Sequence, residues 1–189
     1  MGNSYNKKIS DTTIRIGEVR FSYVYLFERR PNDDGSEGKF SVALLIPKSD
    51  AKAKALIEDA INAAKELGKS KKWNGKIPAN CKSPLHDGDD KDDPNYEGYW
   101  YINASNSKRP GIQQLVNGIR SDCLDEDDFY SGCYGAAVIS FSPYDASGNR
   151  GIGCYVEQVI KTRAGERLAG GISADDAFGD LGEEEDALS

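Results

Sequence analysis

The chain has 189 residues, 24 Lys and Arg against 31 Asp and Glu, 38% hydrophobic residues and a net charge of -7, enough for one domain with a sizeable core. No run of about 18 apolar residues occurs and no apolar stretch follows the N-terminal lysines, so neither a membrane span nor a secretory signal is expected. Cys81, Cys123, Cys133 and Cys154 include no C-x-x-C pair; they are too few for a disulfide scaffold and point to a reducing intracellular compartment.

The charge is unevenly spread. Residues 174–189 carry seven acids and no base, residues 87–97 six acids and Lys91, and residues 122–128 five acids and no base. Outside these segments 23 bases face 13 acids, an excess of ten positive charges. The chain is a basic framework with acidic appendages, and its average charge does not argue against nucleic acid.

In chain order, Thr13 to Gly17 reads as a short strand and Val19 to Arg30 as a longer one, with Val19, Phe21, Tyr23, Tyr25 and Phe27 on one face. The polar Pro31 to Gly38 stretch then leads into a strand over Lys39 to Ile46, stopped by Pro47, so the two strands form a hairpin. A helix follows, started by Ser49 and Asp50 and closed by a Gly68 turn, with Ala53, Leu56, Ile57, Ala60, Ala64 and Leu67 as its apolar stripe. Gly68 to Asn95 has no periodicity and reads as a long surface excursion. Strand signal returns at Tyr96 to Ala104, a Lys108-Arg109-Pro110-Gly111 turn precedes a short amphipathic stretch over Ile112 to Ile119, and Tyr134 to Phe141 pairs with Gly153 to Lys161 across a turn at Asp145 to Gly151. Beyond Arg163 hydrophobicity is low and acids are dense, the composition of a disordered tail. Such a set of strands with one helix fits a small antiparallel barrel, of which the oligonucleotide-binding barrel is one candidate, or a split α+β sheet.

Enzyme chemistry finds little support. His86-Asp87-Gly88-Asp89-Asp90-Lys91-Asp92-Asp93 has carboxylates for Mg²⁺, but it fails the calcium-loop spacing, since Lys91 takes a ligand position and Gly98 stands where the closing Glu is needed. Adjacent acids in a Gly-rich loop are easily kept solvated, so no metal and no other cofactor is expected. His86 is the only histidine, no nucleophile elbow accompanies it, and the Cys and His spacing lacks a zinc pattern. Gly148 to Gly153 matches neither a dinucleotide fingerprint nor a phosphate loop.

Binding of single strands needs cations to replace counterions and flat rings on which bases stack. Arg20, Arg29, Arg30, Lys71, Lys72, Lys76, Lys108, Arg109 and Arg150 are the candidate cations, with Lys69, Lys161 and Arg163 as further ones. Tyr23, Tyr25, Trp73, Tyr99, Tyr101 and Tyr155 are the candidate stacking rings. Trp73, inside Lys71-Lys72-Trp73-Asn74-Gly75-Lys76, has the setting of a base platform between phosphate contacts. The structural alternative places Tyr23, Tyr25, Trp100 and Tyr134 in a barrel core. In the tail, Phe178 and Leu181 stand among acids as candidate partner-binding residues.

Several ordered landmarks carry a family resemblance. They are Gly17-Glu18-Val19-Arg20-Phe21-Ser22-Tyr23-Val24, Phe40-Ser41-Val42-Ala43-Leu44-Leu45-Ile46-Pro47-Lys48, Asp87-Gly88-Asp89, Glu97-Gly98, Lys108-Arg109-Pro110-Gly111, Phe129-Tyr130-Ser131-Gly132-Cys133-Tyr134 and Gly151-Ile152-Gly153. Together they resemble a bacteriophage family of replicative single-stranded DNA-binding proteins, formerly a domain of unknown function. The resemblance implies a mainly β, oligonucleotide-binding (OB) antiparallel barrel with one main helix and long loops over residues 1–165, and a flexible acidic tail over 166–189. It implies sequence-nonspecific coating of single-stranded DNA in phage replication or recombination, no enzymatic activity, a host-cell cytoplasmic location, and a polymerase, helicase or primase as possible partner. Two departures stand out: His86 precedes Asp87-Gly88-Asp89 where the family often places a base, and Asp186-Ala187-Leu188-Ser189 replaces the acidic-Phe ending common among such binders. The competing readings are a metal-dependent nuclease or recombination enzyme using Asp87, Asp89, Asp92 or Glu97, and a replisome interaction module without DNA affinity of its own.

Overall fold

A computed structural model describes residues 5–168, 178 and 181. Strands β1 (Lys7–Lys8), β2 (Thr13–Tyr25) and β3 (Phe40–Pro47) precede helix α1 (Ala51–Lys71). Strands β4 (Leu85–Asp87), β5 (Tyr99–Asn106), β6 (Gly111–Val116), β7 (Ile119–Asp122), β8 (Tyr134–Ala146) and β9 (Asn149–Arg163) follow. Antiparallel pairing joins β5 to β3, β3 to β2, β2 to β8 and β8 to β9, and a parallel bridge between Ser105 and Tyr155 brings β9 back to β5. The ring is an OB barrel. β4 extends it from the β5 edge, and the β6–β7 arm lies along β9.

Alternation fills the barrel. Ile14, Ile16, Val19 and Phe21 of β2 face Val42, Leu44 and Ile46 of β3, Ile102 and Ala104 of β5, Ile139 and Phe141 of β8, and Ile152, Cys154 and Val156 of β9, all buried in one cluster. Each large apolar side chain buried in this way contributes about 1.5–3 kcal/mol. Helix α1 lays Ala53, Ile57, Ala60, Ile61 and Ala64 against the cluster and packs on β8 and β2. Its N-cap is Asp50, whose carboxylate accepts from the Ala53 N–H at 3.1 Å, and not Ser49.

Several expectations need correction. The two N-terminal strands are one, which ends at Tyr25 instead of Arg30. The register of β2 against β3 shifts between Ser22 and Tyr25, and Tyr23, at φ 46°, turns outward, so the Val19–Phe21 stripe does not continue through Tyr23 and Tyr25. Gly68 does not end α1: the helix runs to Lys71, and Gly68 is the socket for Trp73, where an added Cβ would come within 2.6 Å of the indole. The 112–119 stretch is most of a hairpin, β6–β7, reversed by Asn117 and Gly118 at φ 51° and 78°. The 68–95 excursion buries Trp73 and contributes β4 to the sheet. Residues 164–168 run back across the barrel, the Leu168 N–H donating to the Ser131 carbonyl at 3.0 Å. Beyond residue 168 the expected acidic tail lies outside the described residues except for Phe178 and Leu181, both exposed.

Candidate nucleic-acid interface

Residues directly opposite in a sheet share a face, so the pairing lays out the outer surface of β5, β3 and β2 as three rows. The first runs His86, Tyr101, Leu45, Arg20, Tyr134; the second Asn103, Ala43, Ser22; the third Tyr155, Ser105, Ser41, Tyr25. The intervening residues, among them Ile102, Leu44 and Phe21, point into the core. A barrel filled by one set of side chains therefore presents a field of tyrosines, Ser41, Ser105 and Asn103 on its other side, around a buried patch of Leu45, Ala43 and Ser22.

Two grooves cross this field. One, of 370 Å³, is lined by Tyr23, Arg30, Ser41, Ala43, Lys91, Tyr96 and Asn103. The other, of 670 Å³, shares Arg30 and Ser41 with it and continues past Lys39, Ser107, Asp33 and Arg29, the last paired with the groove-lining Glu37 at 2.9 Å. Cations lie on rings along the path. The Arg30 guanidinium is 5.5 Å from the Tyr25 ring centroid, and the Lys91 ammonium is 5.0 Å from Tyr96 and 5.3 Å from Tyr101. Outside the grooves, Arg20 lies 5.2 Å from the Tyr134 ring, and Arg163, 3.9 Å from the same ring, is paired with Glu18. Such contacts hold a cation beside an apolar plane without neutralising it, so the surface keeps both a stacking element and a phosphate-binding element.

The acidic loop roofs one end of the field. Tyr96 is buried, its hydroxyl 3.4 Å from Ser22 Oγ and its ring 5.1 Å from that of Tyr101. Burial raises the Tyr96 hydroxyl pKa above its ordinary value and does the same, with the neighbouring Tyr134, for Tyr99. His86 stacks on Tyr101 at 5.0 Å; burial and then Lys91 push its pKa below 6.5, so it is neutral at pH 7 and adds an aromatic face, not a charge. Asp87 and Asp89 are tied to a lysine: both carboxylates accept from Lys48 Nζ, at 2.5 Å each, while remaining partly open to solvent. Among the described residues no group of three or more His, Cys, Asp or Glu is gathered to hold a metal ion. Cys123, Cys133 and Cys154 are buried thiols, Cys133 pushed up to about 11 by desolvation.

The expected residues divide sharply by position. Arg20, Tyr23, Tyr25, Arg29, Arg30, Tyr99, Tyr101 and Tyr155 gather on or beside the three rows. Arg20 is also structural, donating to the carbonyls of Gly132 and Glu166 at 3.1 and 2.8 Å. Lys108 and Arg109 follow the groove-lining Ser107, with Arg109 5.4 Å from the Phe27 ring. Lys71, Lys72 and Lys76 are exposed at the end of α1, and Arg150 pairs with Asp145 at the β8–β9 turn. Trp73 is a correction. Its side chain is buried in the core cluster and its indole N–H donates to the Tyr144 carbonyl at 3.2 Å, so its ring is not a surface platform.

Lys91, Tyr96, Asn103, Ser41 and Lys39 line the grooves and were not anticipated. Lys91 is the single base in an acidic run, and that isolation was the available signal. Asn103 and Ser41 alternate with core residues on strands whose period is plain, so their outward placement follows from the core assignment.

The family model of the Enterobacter phage Enc34 ssDNA-binding protein matches residues 12–188. Protein p50 of Acyrthosiphon pisum secondary endosymbiont phage 1 is 33% identical over 192 residues, covering 93% of this chain and 98% of that protein. The structure of the single-stranded DNA-binding protein from bacteriophage Enc34 in complex with ssDNA superposes with a TM-score of 0.72 at 26% identity, over 86% of this chain and 96% of that one. A single-stranded DNA-binding protein encoded by bacteriophage T7 shares the fold, with a TM-score of 0.58 at 14% identity over 93% of this chain and 97% of that one.

Proposed function

Because the chain belongs to the family of the Enterobacter phage Enc34 single-stranded DNA-binding protein, we propose that it binds and covers single-stranded DNA without sequence preference during phage DNA replication or recombination. The observation that carries this reading is the outer face of β2, β3 and β5, where outward tyrosines adjoin two joined grooves lined by Tyr23, Tyr96, Arg29, Arg30, Lys39 and Lys91. In OB barrels this face and its flanking loops take up oligonucleotides. Bases stack on Tyr23, Tyr25, Tyr99, Tyr101 and Tyr155, and Arg29, Arg30, Lys39, Lys91, Lys108 and Arg109 neutralise phosphates. Stacking on rings and contact with phosphates use features common to every base and nucleotide, so binding of this kind is sequence-tolerant. The host-cell cytoplasm is the compartment this role requires; no described helix is long and apolar enough to cross a membrane.

Titration of a mixed-sequence oligonucleotide against a duplex of equal length, over a series of salt concentrations, tests the assignment. The single strand is expected to bind more tightly, with log K falling linearly against log salt by about 0.7 per phosphate engaged. Equal or tighter duplex binding, or a flat salt response, rejects it.

The acidic tail adds a second expected result. With seven acids over residues 174–189, it competes with DNA for the basic groove, and DNA releases it to present Phe178 and Leu181 to a polymerase, helicase or primase. A protein ending at Ser173 is expected to keep its circular dichroism, bind single strands more tightly at low salt, and lose that advantage as screening rises. Equal affinities of full-length and shortened protein at low salt remove the competition.

A further inference from the structure

The end of β3 and the two ends of the 87–98 loop meet in one knot. The Lys48 ammonium, at the end of β3, bonds Asp87 Oδ1 and Asp89 Oδ2 at 2.5 Å each. The Lys48 N–H donates to the Gly98 carbonyl at 3.0 Å, and the Gly98 N–H donates back to Asp89 Oδ1 at 2.9 Å. The loop that leaves at Asp87 and returns at Gly98 is thus closed at both ends by one lysine. Gly88 makes the closure close-packed: a Cβ there would stand 2.2 Å from the Tyr96 carbonyl oxygen and 2.5 Å from that of Tyr99, so no other residue fits without moving backbone.

The closed loop delivers two side chains to the groove, Lys91 and Tyr96. Lys48 itself lines neither groove and lies instead 4.7 Å from the Trp100 ring. We propose that Lys48 is a positioning residue for DNA binding, which holds the 87–98 loop so that Tyr96 walls the groove and Lys91 stands over Tyr101, ready to exchange the ring for a phosphate. The proposal rests on the groove being the DNA site. Bonds from Lys48 hold both carboxylates below their ordinary range and those carboxylates raise the lysine, so all three groups stay charged at neutral pH. The knot also cancels part of a negative charge that would otherwise stand beside bound phosphates. Untied, the loop would carry Asp90, Asp92, Asp93 and Glu97 on a mobile span, and DNA would have to order it on binding.

Lys48→Met alone mixes two effects, because it leaves two uncompensated carboxylates. The full chain carrying Lys48→Met, Asp87→Asn and Asp89→Asn together removes the charge while also removing the tie. Positioning predicts that this triple variant binds a mixed-sequence single strand roughly ten-fold more weakly than wild type, with the wild-type salt slope, because no phosphate contact has gone. Lys48→Arg keeps the charge and the carboxylate bonds and is expected to stay within about two-fold of wild type. Should the triple variant not fold by circular dichroism, Asp89→Ala, which removes the acceptor of the Gly98 N–H and spares the Lys48–Asp87 pair, carries the same comparison, with a loss of about three-fold expected. Unchanged affinity in the folded variant overturns the proposal, as does a slope shallower by about 0.7, the mark of a direct phosphate contact by Lys48. A wild type that fails to bind single strands rejects the groove and this inference together, whereas a wild type that binds beside an unaffected variant rejects the inference alone.

Discussion

Replacing Trp73 with alanine is expected to cost about 3–5 kcal/mol of stability and to leave the DNA affinity of the folded protein unchanged. The chain after α1 shows why. The N–H groups of Lys72 and Trp73 both donate to the Gly68 carbonyl at 2.9 Å, and Asn74 and Gly75, at φ 53° and 86°, reverse the backbone. That reversal folds the indole onto Gly68 and Pro143, where it is 4% exposed. Removing it empties a site floored by a glycine and walled by a proline, neither of which has a side chain that can swing in to fill the space, and orphans the Tyr144 carbonyl that accepts from the indole. Urea unfolding reads the stability, and titration with a mixed-sequence oligonucleotide at a temperature where the variant is folded reads the affinity. A variant that keeps its unfolding midpoint but loses DNA binding would return Trp73 to the surface and sink this assignment.

The same residue marks where sequence legibility ends. Lysines on both sides of Trp73 suggest a wet, basic loop, but they share its neighbourhood only in sequence: Lys71 and Lys72 stay exposed while the ring turns inward. What decides the direction of the ring is the cleft at Gly68, a feature of the partner surface that no local pattern encodes. Strong two-residue alternation made β3, β5, β8 and β9 readable, since each needs one apolar face toward the barrel. The β6–β7 hairpin was also legible in principle, because Asn117-Gly118 is the dipeptide most at home in a two-residue turn. Its exposed Val116 and Ile119, however, lack the alternation of a half-buried strand.

Register is harder. The stripe Val19, Phe21, Tyr23, Tyr25 is continuous in sequence, yet pairing with β3 slips between Ser22 and Tyr25 and sends the tyrosines to the outer face. A bulge of this kind is set by the partner strand and by what lies beneath, and a one-residue slip exchanges core for surface. The candidate site was therefore legible as a collection of residue types and partly as membership, through Arg30, Tyr25 and Tyr101. The loop that completes it was not, because the tie between Lys48 and Asp87 spans separate landmarks whose closeness only the folded sheet creates.

Tyr23 provides the sharpest separation of binding from stability. Among the described residues the other non-glycine positions with positive φ are Asn74, Asn117 and Ser147, small polar residues at turns, whereas Tyr23 is a bulky ring at φ 46° and 45% exposed on the groove. A left-handed conformation costs a side-chain-bearing residue about 1–2 kcal/mol, and exposure of the ring recovers little of that by burial. Retaining tyrosine here is thus unfavourable for the free protein and consistent with a strained residue kept for binding. Tyr23→Gly and Tyr23→Ala remove the same ring, but glycine adopts positive φ without a Cβ penalty. Both variants are expected to lose about 1–3 kcal/mol of single-strand affinity, while Tyr23→Gly unfolds at higher urea than Tyr23→Ala, by roughly 1 kcal/mol in stability. Retained affinity in both would show that bases do not stack on Tyr23, and glycine no more stable than alanine would show that the backbone there is not strained. Reduced affinity together with matched or recovered stability in Tyr23→Gly places the contribution of the ring on the DNA and not in the fold.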